Sequence, residues 1–479
     1  MNLEGQKLLA VGMGRSGMAV ARFAAARGAV VTANDAGPAS ELGPQIAELR
    51  EAGISVLAGE HSEKLFLEAD IIVLSPGVPP DITPIQAARR SGIKIVGEAE
   101  FASWFLRGRI IGITGSNGKT TTTSLIGALM GAAGQEVLVG GNIGVPLTSL
   151  VEKSTEPTWT VAELSSFQLE NVEQLRVNVA VVTNITPDHL DRHASFEEYC
   201  RAKQNIFLNQ TASDWAVLNG DDPVVVDMAD RNPGRSGAGR SRSRSRRIYF
   251  SSSGSPVSGS ASIYLRDGVI LGRLPDWLED APRQELEIIR VAEIPLVGLH
   301  NVENVMAALG AVLCAVGPAS VDLEAIRDAI RHFKGVEHRI ELVAEISGIK
   351  FYNDSKATNV DSTVKALESF DGNIILILGG KDKGSDYTRL ASLIAQRVKL
   401  LVLIGSAADK IALQLAGVAP IVRADSMADA LGRSAEAGVP GDIVLLAPAC
   451  ASFDMFSNYE HRGRVFKEAV LTMAEQAGA

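Results

Sequence analysis

Between Arg109 and Thr121 the chain reads RIIGITGSNGKTT, an apolar run that enters a glycine-rich turn closed by a lysine and two threonines. Gly115 and Gly118 let backbone N–H groups converge on phosphate oxygens, Lys119 adds a cation, and Thr120 offers a hydroxyl to Mg²⁺ at the start of a helix predicted over TTSLIGALMGAAG. The stretch therefore demands strand, turn and helix in that order, with Gly115, Ser116, Asn117, Gly118, Lys119, Thr120 and Thr121 placed around a nucleoside triphosphate. Its spacing departs from the general motif G-x-x-x-x-G-K-[ST], whose first glycine would fall at Ile113, whereas the glycines stand at 112 and 115. A strand-turn-helix without a ligand would use one glycine.

Length and composition limit what surrounds this loop. A chain of 479 residues with 46% hydrophobic content can bury sizeable cores, and its length corresponds to about three domains. A net charge of -10 argues against general nucleic-acid or membrane-surface binding, so an anionic ligand must be met by local cations and helix N-termini. Cys200, Cys314 and Cys450 lie far apart with no C-x-x-C spacing, which suggests neither a disulfide framework nor a zinc cluster, and reads as reduced thiols. The first strand candidate, KLLAVGMG, has no basic leader pattern before it, and no uninterrupted apolar run reaches membrane-spanning length. The expectation is a cytoplasmic protein that is neither exported nor anchored.

The first segment alternates apolar strand candidates (KLLAVGM, VVTAND, ISVLAG, DIIVLS, IKIVGE) with helical stretches, which predicts a small parallel sheet. Gly12-Met13-Gly14-Arg15-Ser16-Gly17 gives G-x-G-x-x-G, and Asp35 ends the second strand where a ribose-reading acid would sit. Such a loop serves NAD, another nucleotide, or only close packing of helix on strand. Ser75-Pro76-Gly77 follows the strand DIIVLS, either as a second phosphate-binding element or as a simple turn.

A second alternating region contributes RIIGIT, EVLVGGNIG, TWTVAEL, VNVAVVTNIT and WAVLNGD as buried parallel strands. Asn142, Glu163, Asn184, Asp188, His189 and Asp221 gather at their C-terminal ends, where open α/β sheets place ligands. Glu163 suits Mg²⁺, or else caps the next helix as an exposed carboxylate. From 231 to 260 the pattern breaks into an Arg/Ser-rich low-complexity stretch, read as a solvated insertion in preference to an RNA-binding tract. Beyond short β-like pieces comes the helix HNVENVMAALGAVLCAVG, where Asn301 and Asn304 cap the helix or touch a nucleotide.

The third alternating unit has IELVAEI, GIKFYND, NIILILGG, KLLVLIG and DIVLLAPA as strands of another doubly wound sheet. Three of its strand ends carry acids, cations and hydroxyls: Tyr352 to Asn359, Gly379 to Lys383, and Pro448 to Asp454. Three such loops at equivalent ends of one sheet indicate a substrate surface.

The segments GSNGKTT, the Glu163 strand end, TPDHLDRH, GVEHR, YNDSKATN and the SPG of the first segment resemble the Mur ligases of bacterial peptidoglycan synthesis, in the same order and over nearly the whole chain. PACASFDMFSNYEHRG resembles the members that add D-glutamate to UDP-N-acetylmuramoyl-L-alanine. The resemblance implies a three-domain α/β protein. A Rossmann-like domain at 1–97 would hold the UDP-substrate, a P-loop ATPase-like domain at 98–335 would carry the insertion at about 231–260, and a Rossmann-like domain at 336–479 would bring the amino acid, with linkers near 98 and 335.

It further implies an amide ligase that works through an acyl phosphate, with Lys119, Glu163, His189 and Lys203 catalytic. ATP would also meet Asn304, Arg339 and Asp354. The UDP-substrate would meet Ser16, Asp35, Ser75, Gly77, Asn142 and His189, and D-glutamate would meet Lys356, Thr358, Lys383, Ser452, Phe453 and Tyr459. Two Mg²⁺ ions are implied, one shared by Thr120 and Glu163, the other by His189 and a carbamylated Lys203. Read without the resemblance, Lys203 is an exposed helical lysine. The protein is expected to be a monomer without nucleic-acid or membrane partners. Competing readings are a sister ligase or folylpolyglutamate-type ligase, an NAD-dependent dehydrogenase using Gly12 to Gly17, and a nucleic-acid ATPase relying on the Arg/Ser tract.

Overall fold

In the computed structural model, which describes residues 1–142, 144–188, 192–230, 245–257, 260–273 and 285–477, the alternating apolar segments become three sheets. Strands Lys7–Val11, Val30–Asp35, Ser55–Ala58, Ile71–Leu74 and Lys94–Gly97 form the first, all parallel, in the order third, second, first, fourth, fifth. That order reverses between Lys7–Val11 and Ile71–Leu74, so the loops after these two strands flank the crevice where open sheets receive ligands. Every residue of Ile71–Leu74 is buried, as a strand covered on both faces must be.

The second sheet has nine strands. Its parallel part includes Val137–Gly141, Trp159–Glu163, Arg109–Thr114, Val179–Val182 and Trp215–Asn219 in spatial order. Arg246–Ser251 continues it, paired in parallel with Trp215–Asn219. This corrects the insertion expected over 231–260: Ile248, Tyr249 and Phe250 are buried, and their apolar sequence makes a sheet strand out of part of that stretch. Residues 231–244 and 258–259 lie outside the described residues. Ala261–Arg266, Val269–Arg273 and Leu286–Arg290 complete the sheet, the last two joined antiparallel.

The third sheet has six strands: Glu341–Ile346, Ile349–Asn353, Ile443–Leu446, Ile374–Gly379, Val398–Ile404 and Ile421–Arg423 in spatial order, the first pair antiparallel and the rest parallel. Here too the described fold is the expected α/β class.

The chain divides into two compact units, one of residues 1–293 with 303–332, the other of 294–302 with 333–479. The first and second sheets share a unit and a continuous core. No loose linker separates them at residue 98. Strand Lys94–Gly97 runs directly into a helix, Glu98–Ser103. Glu98 accepts from the backbone N–H and hydroxyl of Thr148 at 2.7 and 2.8 Å. Glu100 accepts from the N–H groups of Glu173, Gln174 and Leu175 at 2.9, 3.0 and 3.0 Å, and from Trp104 Nε1 at 2.8 Å. A buried carboxylate compensated by that many donors fixes the junction.

The helix Leu299–Val316 is long and apolar enough to cross a membrane by length and composition, which the sequence reading did not anticipate. Two-thirds of it is buried, and Gly310 approaches Val217, Ile248 and Ile263 of the second sheet. Its apolar character is that of a core helix.

Candidate active site

At the end of strand Arg109–Thr114 the backbone turns through Gly115, at φ +145°, and Gly118, at φ +83°, before the helix Lys119–Ala132 begins. A Cβ on Gly115 would lie 2.0 Å from Thr183 Oγ1, and one on Gly118 would lie 2.3 Å from Asn304 Oδ1. Close approach thus requires glycine at both positions. The next strand's loop holds the turn open: Ser116 N donates to Asn184 O at 2.8 Å, Asn117 N to Asn184 Oδ1 at 2.8 Å, and Thr183 Oγ1 to Asn117 O at 2.6 Å. Lys119 Nζ folds back on the carbonyls of Gly115 and Ser116, at 2.9 and 2.8 Å. Thr120 and Thr121 are buried in the first helical turn, and Thr122 Oγ1 donates to Asn304 Oδ1 at 3.2 Å.

Glu163 ends the strand between Arg109–Thr114 and Val137–Gly141, its register partners being Ile113 and Gly141. It is not the exposed capping carboxylate of the simpler reading. It is buried, and Ser165 and Gln168 cap the following helix reciprocally. Glu163 Oε1 accepts from Asn142 Nδ2 at 2.9 Å, while Oε2 is buried with no hydrogen-bond partner. An orphaned buried carboxylate oxygen beside a phosphate loop fits a divalent cation.

Lys203 is buried as well, at 2% exposure. Its Nζ donates to Gly115 O at 2.8 Å and lies 3.5 Å from Thr114 Oγ1. Burial, reinforced by the nearby Lys119 charge, pushes its pKa well below the ordinary lysine value. Burial thus favours the neutral amine, the form of lysine that can take up CO₂ as a carbamate. His189 lies outside the described residues. Among the described residues, no three His, Cys, Asp or Glu side chains gather as a metal cluster.

The N-terminal glycine loop faces a cleft of about 490 Å³ lined by Ser16, Asp35, Ser75, Gly77 and Asn142 among others, which brings together the described residues expected around the UDP-substrate. Asp35 Oδ2 accepts from Met13 N at 2.7 Å, so it braces the loop, and Ser75 Oγ donates to Gly12 O at 3.0 Å. A Cβ on Gly17 would meet Gly12 O at 1.7 Å; helix-on-strand packing alone explains that glycine. Two lining residues escaped sequence reasoning, His61 and Gln168. Gln168 uses Oε1 to accept from Ser165 N at 3.0 Å, which leaves its buried Nε2 without a partner. The S-x-x-Q capping spacing could have found it.

In the second unit the three polar loops follow Ile349–Asn353, Ile443–Leu446 and Ile374–Gly379, which are neighbours in the sheet. Asp354 is buried, accepts from Ile340 N at 3.3 Å, and has its pKa raised to about 7 by burial against the opposing pull of Arg339. Arg339 Nε is buried without a partner. His338 and Ile340 on either side hold positive φ, +65° and +44°, strain of the sort that collects at binding loops. Lys356 Nζ lies 5.8 Å from the Tyr459 ring centre, and Thr358 N donates to Lys356 O at 2.8 Å. Lys383 and Phe453 are exposed and Ser452 is buried.

Arg462, quoted in the C-terminal motif but given no role from sequence, is fully buried. It donates to Ser355 Oγ and O at 2.9 and 2.8 Å and to Cys450 O at 3.1 Å, clamping two of the loops together.

Comparison with known proteins agrees with this arrangement. Residues 6–97 match the Mur ligase MurD-like N-terminal domain, 113–312 the Mur ligase middle domain, and 338–450 the Mur ligase glutamate ligase domain. A UDP-N-acetylmuramoylalanine--D-glutamate ligase of Acidobacterium capsulatum is 51% identical over 98% of this chain and 97% of its own. The enzyme of the same name from Koribacter versatilis is 47% identical over 99% of both. Among solved structures, the UDP-N-acetylmuramate-alanine ligase MurC of Thermotoga maritima covers 98% of this chain and 100% of its own with a TM-score of 0.58 at 19% identity, a likeness of fold. With all three domain types matched in order and relatives aligned from end to end, the chain belongs to the Mur ligase family.

Proposed function

We propose that this chain is the ligase that joins D-glutamate to UDP-N-acetylmuramoyl-L-alanine at the expense of ATP, a cytoplasmic step of peptidoglycan precursor synthesis. The observation that carries the reading is end-to-end likeness to ligases of that name at 51 and 47% identity. Geometry supplies the chemistry. A carboxylate is a poor electrophile, so the γ-phosphoryl group first passes to the alanyl carboxylate. The amine of D-glutamate then attacks the acyl phosphate, and the tetrahedral adduct collapses to amide and phosphate.

Phosphoryl transfer calls mainly for positioning and charge neutralisation. The N–H groups of Gly115 to Thr121 cradle the phosphates, and Lys119 leaves its two carbonyl contacts to meet them. Thr120 and the orphaned Glu163 oxygen would hold Mg²⁺, which when bound offsets phosphate charge. A carbamylated Lys203 with His189 would hold the second ion. Asn304 fits against the phosphate loop, while Arg339 and Asp354 offer a cation and a ribose acceptor on the second unit. In the N-terminal cleft Ser16, Asp35, Ser75, Gly77 and Asn142 receive the UDP-substrate, and the unpartnered Gln168 Nε2 donates to it. Lys356, Thr358, Lys383, Ser452, Phe453 and Tyr459 receive D-glutamate, whose two carboxylates call for cations and hydroxyl donors.

The test is phosphate release from ATP and Mg²⁺ with UDP-N-acetylmuramoyl-L-alanine, comparing D-glutamate with L-glutamate, L-lysine and diaminopimelate. Release that requires both the nucleotide substrate and D-glutamate is expected. Release with another amino acid would reassign the chain to a sister ligase.

A further inference from the structure

The loops bearing Lys383 and Ser452 are joined beneath their surface by side chains to which nothing above gives a role. Tyr387 is fully buried, and its hydroxyl donates to Asp382 Oδ1 at 2.8 Å. The same oxygen lies 3.0 Å from Cys450 Sγ. Because the one phenolic proton is committed to the carboxylate, the thiol must donate to the phenolic oxygen. Asp382 Oδ2 accepts from Lys410 Nζ at 2.8 Å, and Oδ1 also accepts from Ser385 N at 3.1 Å. The direction of every bond is therefore set: Cys450 to Tyr387 to Asp382, with Lys410 anchoring the far end.

This chain spans the two loops at their functional positions. Asp382 immediately precedes Lys383, and Cys450 stands two residues before Ser452. Backbone bonds from Lys381 N to Ala451 O at 2.8 Å and from Ala451 N to Lys381 O at 3.2 Å bring the loops side by side. A Cβ on Gly380 would meet Ala451 O at 2.3 Å. Ala449 in the second loop holds φ +55°, a conformation it keeps only when its surroundings enforce it. Tyr387 N is held in turn by Gln414 Oε1 at 2.8 Å, on the helix that also carries Lys410.

We propose that Cys450, Tyr387, Asp382 and Lys410 form a positioning relay that sets the Lys383 ammonium opposite the Ser452 loop, and so determines how tightly the amino-acid substrate is held. The proposal rests on the D-glutamate reading of this surface. None of the four touches substrate; they act through the two loops. Burial, which pushes the Cys450 thiol up to about 11, keeps it a hydrogen-bond donor at working pH, as the relay requires.

The test compares wild type with Tyr387→Phe, Cys450→Ala and Cys450→Ser in steady-state assays that vary each substrate separately. Tyr387→Phe keeps the buried ring and removes only the shared oxygen. Loss of the two hydrogen bonds this oxygen makes should raise the KM for D-glutamate about five- to tenfold, with KM for ATP and for the nucleotide substrate within about twofold of wild type. Cys450→Ala should behave alike, and Cys450→Ser, which restores a donor, should return to near the wild-type KM. If wild type depends on D-glutamate but the two disruptive variants keep its KM, or raise all three KM values together, the relay proposal is overturned alone. If wild type releases phosphate without dependence on D-glutamate, the functional reading falls and the proposal with it.

Discussion

Replacing Asp354 by asparagine should remove part of the second unit's response to pH. The carboxyl's pKa rises from 3.8 to about 7 because burial disfavours its charged form by more than Arg339 and the Ile340 N–H favour it. Between those two values the folded protein retains a proton that the unfolded chain has already released, so stability falls as pH rises through this window. A shift of about 3 units at 1.36 kcal/mol each makes the loss about 4 kcal/mol, complete by about pH 8. Asparagine keeps an oxygen for the Ile340 N–H without the titrating charge, and the variant should lack this part of the slope. Every tryptophan of the chain precedes residue 294, so fluorescence does not report on the second unit. Hydrogen exchange of the Ile349–Asn353 amides, corrected for intrinsic rate, is the suitable assay at pH 5, 6, 7 and 8. Wild-type protection should decline across the series relative to Asp354→Asn. In the same pair of proteins, KM for ATP should rise below pH 7 in wild type only, because the ribose hydroxyls donate to the ionised carboxylate. Parallel protection curves would show that Asp354 titrates at its ordinary value and would refute the reasoning.

Other substitutions probe the first unit. Gly115→Ala puts a Cβ 2.0 Å from Thr183 Oγ1 at a φ of +145°; it should cost about 1–3 kcal/mol of stability and abolish ATP binding, read by calorimetric titration. Glu163→Gln retains the acceptor for Asn142 and removes the charge, so kcat should fall at least about a hundredfold; chelation of Mg²⁺ should silence wild type entirely in the phosphate-release assay. Lys203, whose burial favours the neutral amine, should give a carbamate carbonyl resonance with ¹³C-bicarbonate that disappears in Lys203→Met, and absence of that resonance in an active wild type would remove carbamylation from the mechanism.

Fold class was legible because the strands buried on both faces leave near-continuous apolar runs, as in IIVL at 71–74 and IILILG at 374–379. The strand Arg246–Ser251 was not, because its short apolar core, IYF, follows an arginine run and precedes serines, so composition concealed it. The helix Leu299–Val316 was legible, but its membrane-like length and hydropathy were not, because its polar Asn301, Glu303 and Asn304 interrupt the apolar run at its start. Site residues were legible where chemistry depends on side chains near in sequence, as in the phosphate loop. Burial was not: Lys203 read by itself as a surface group, and Glu163 left an exposed helix cap open beside its metal role, until the fold buried both. Arg462 clamps the nearby Cys450 loop to the Ser355 loop more than a hundred residues away in the chain, a relation no local pattern encodes.

Some of the buried groups that the fold leaves unsatisfied lie at the candidate site. Glu163 Oε2, Gln168 Nε2 and Arg339 Nε are buried without partners, and Lys203 and Asp354 are buried where their charged forms are disfavoured. An unpartnered buried polar group costs about 1–3 kcal/mol. The chain answers one buried carboxylate with four N–H donors, at Glu100, yet leaves Glu98 Oε2, Gln6 Oε1 and Trp159 Nε1 without partners as well, so an orphaned atom points to a ligand only where a phosphate loop or a lined cleft lies beside it. These five lie at strand ends and loops beside the phosphate loop, in the N-terminal cleft and on the second unit, where on the proposed function a phosphate, a metal ion, a sugar or a ribose would answer them. A change that satisfies one of them internally should therefore stabilise the free protein and weaken catalysis together, because stability of the empty site and affinity for its ligands draw on the same unfilled bonds.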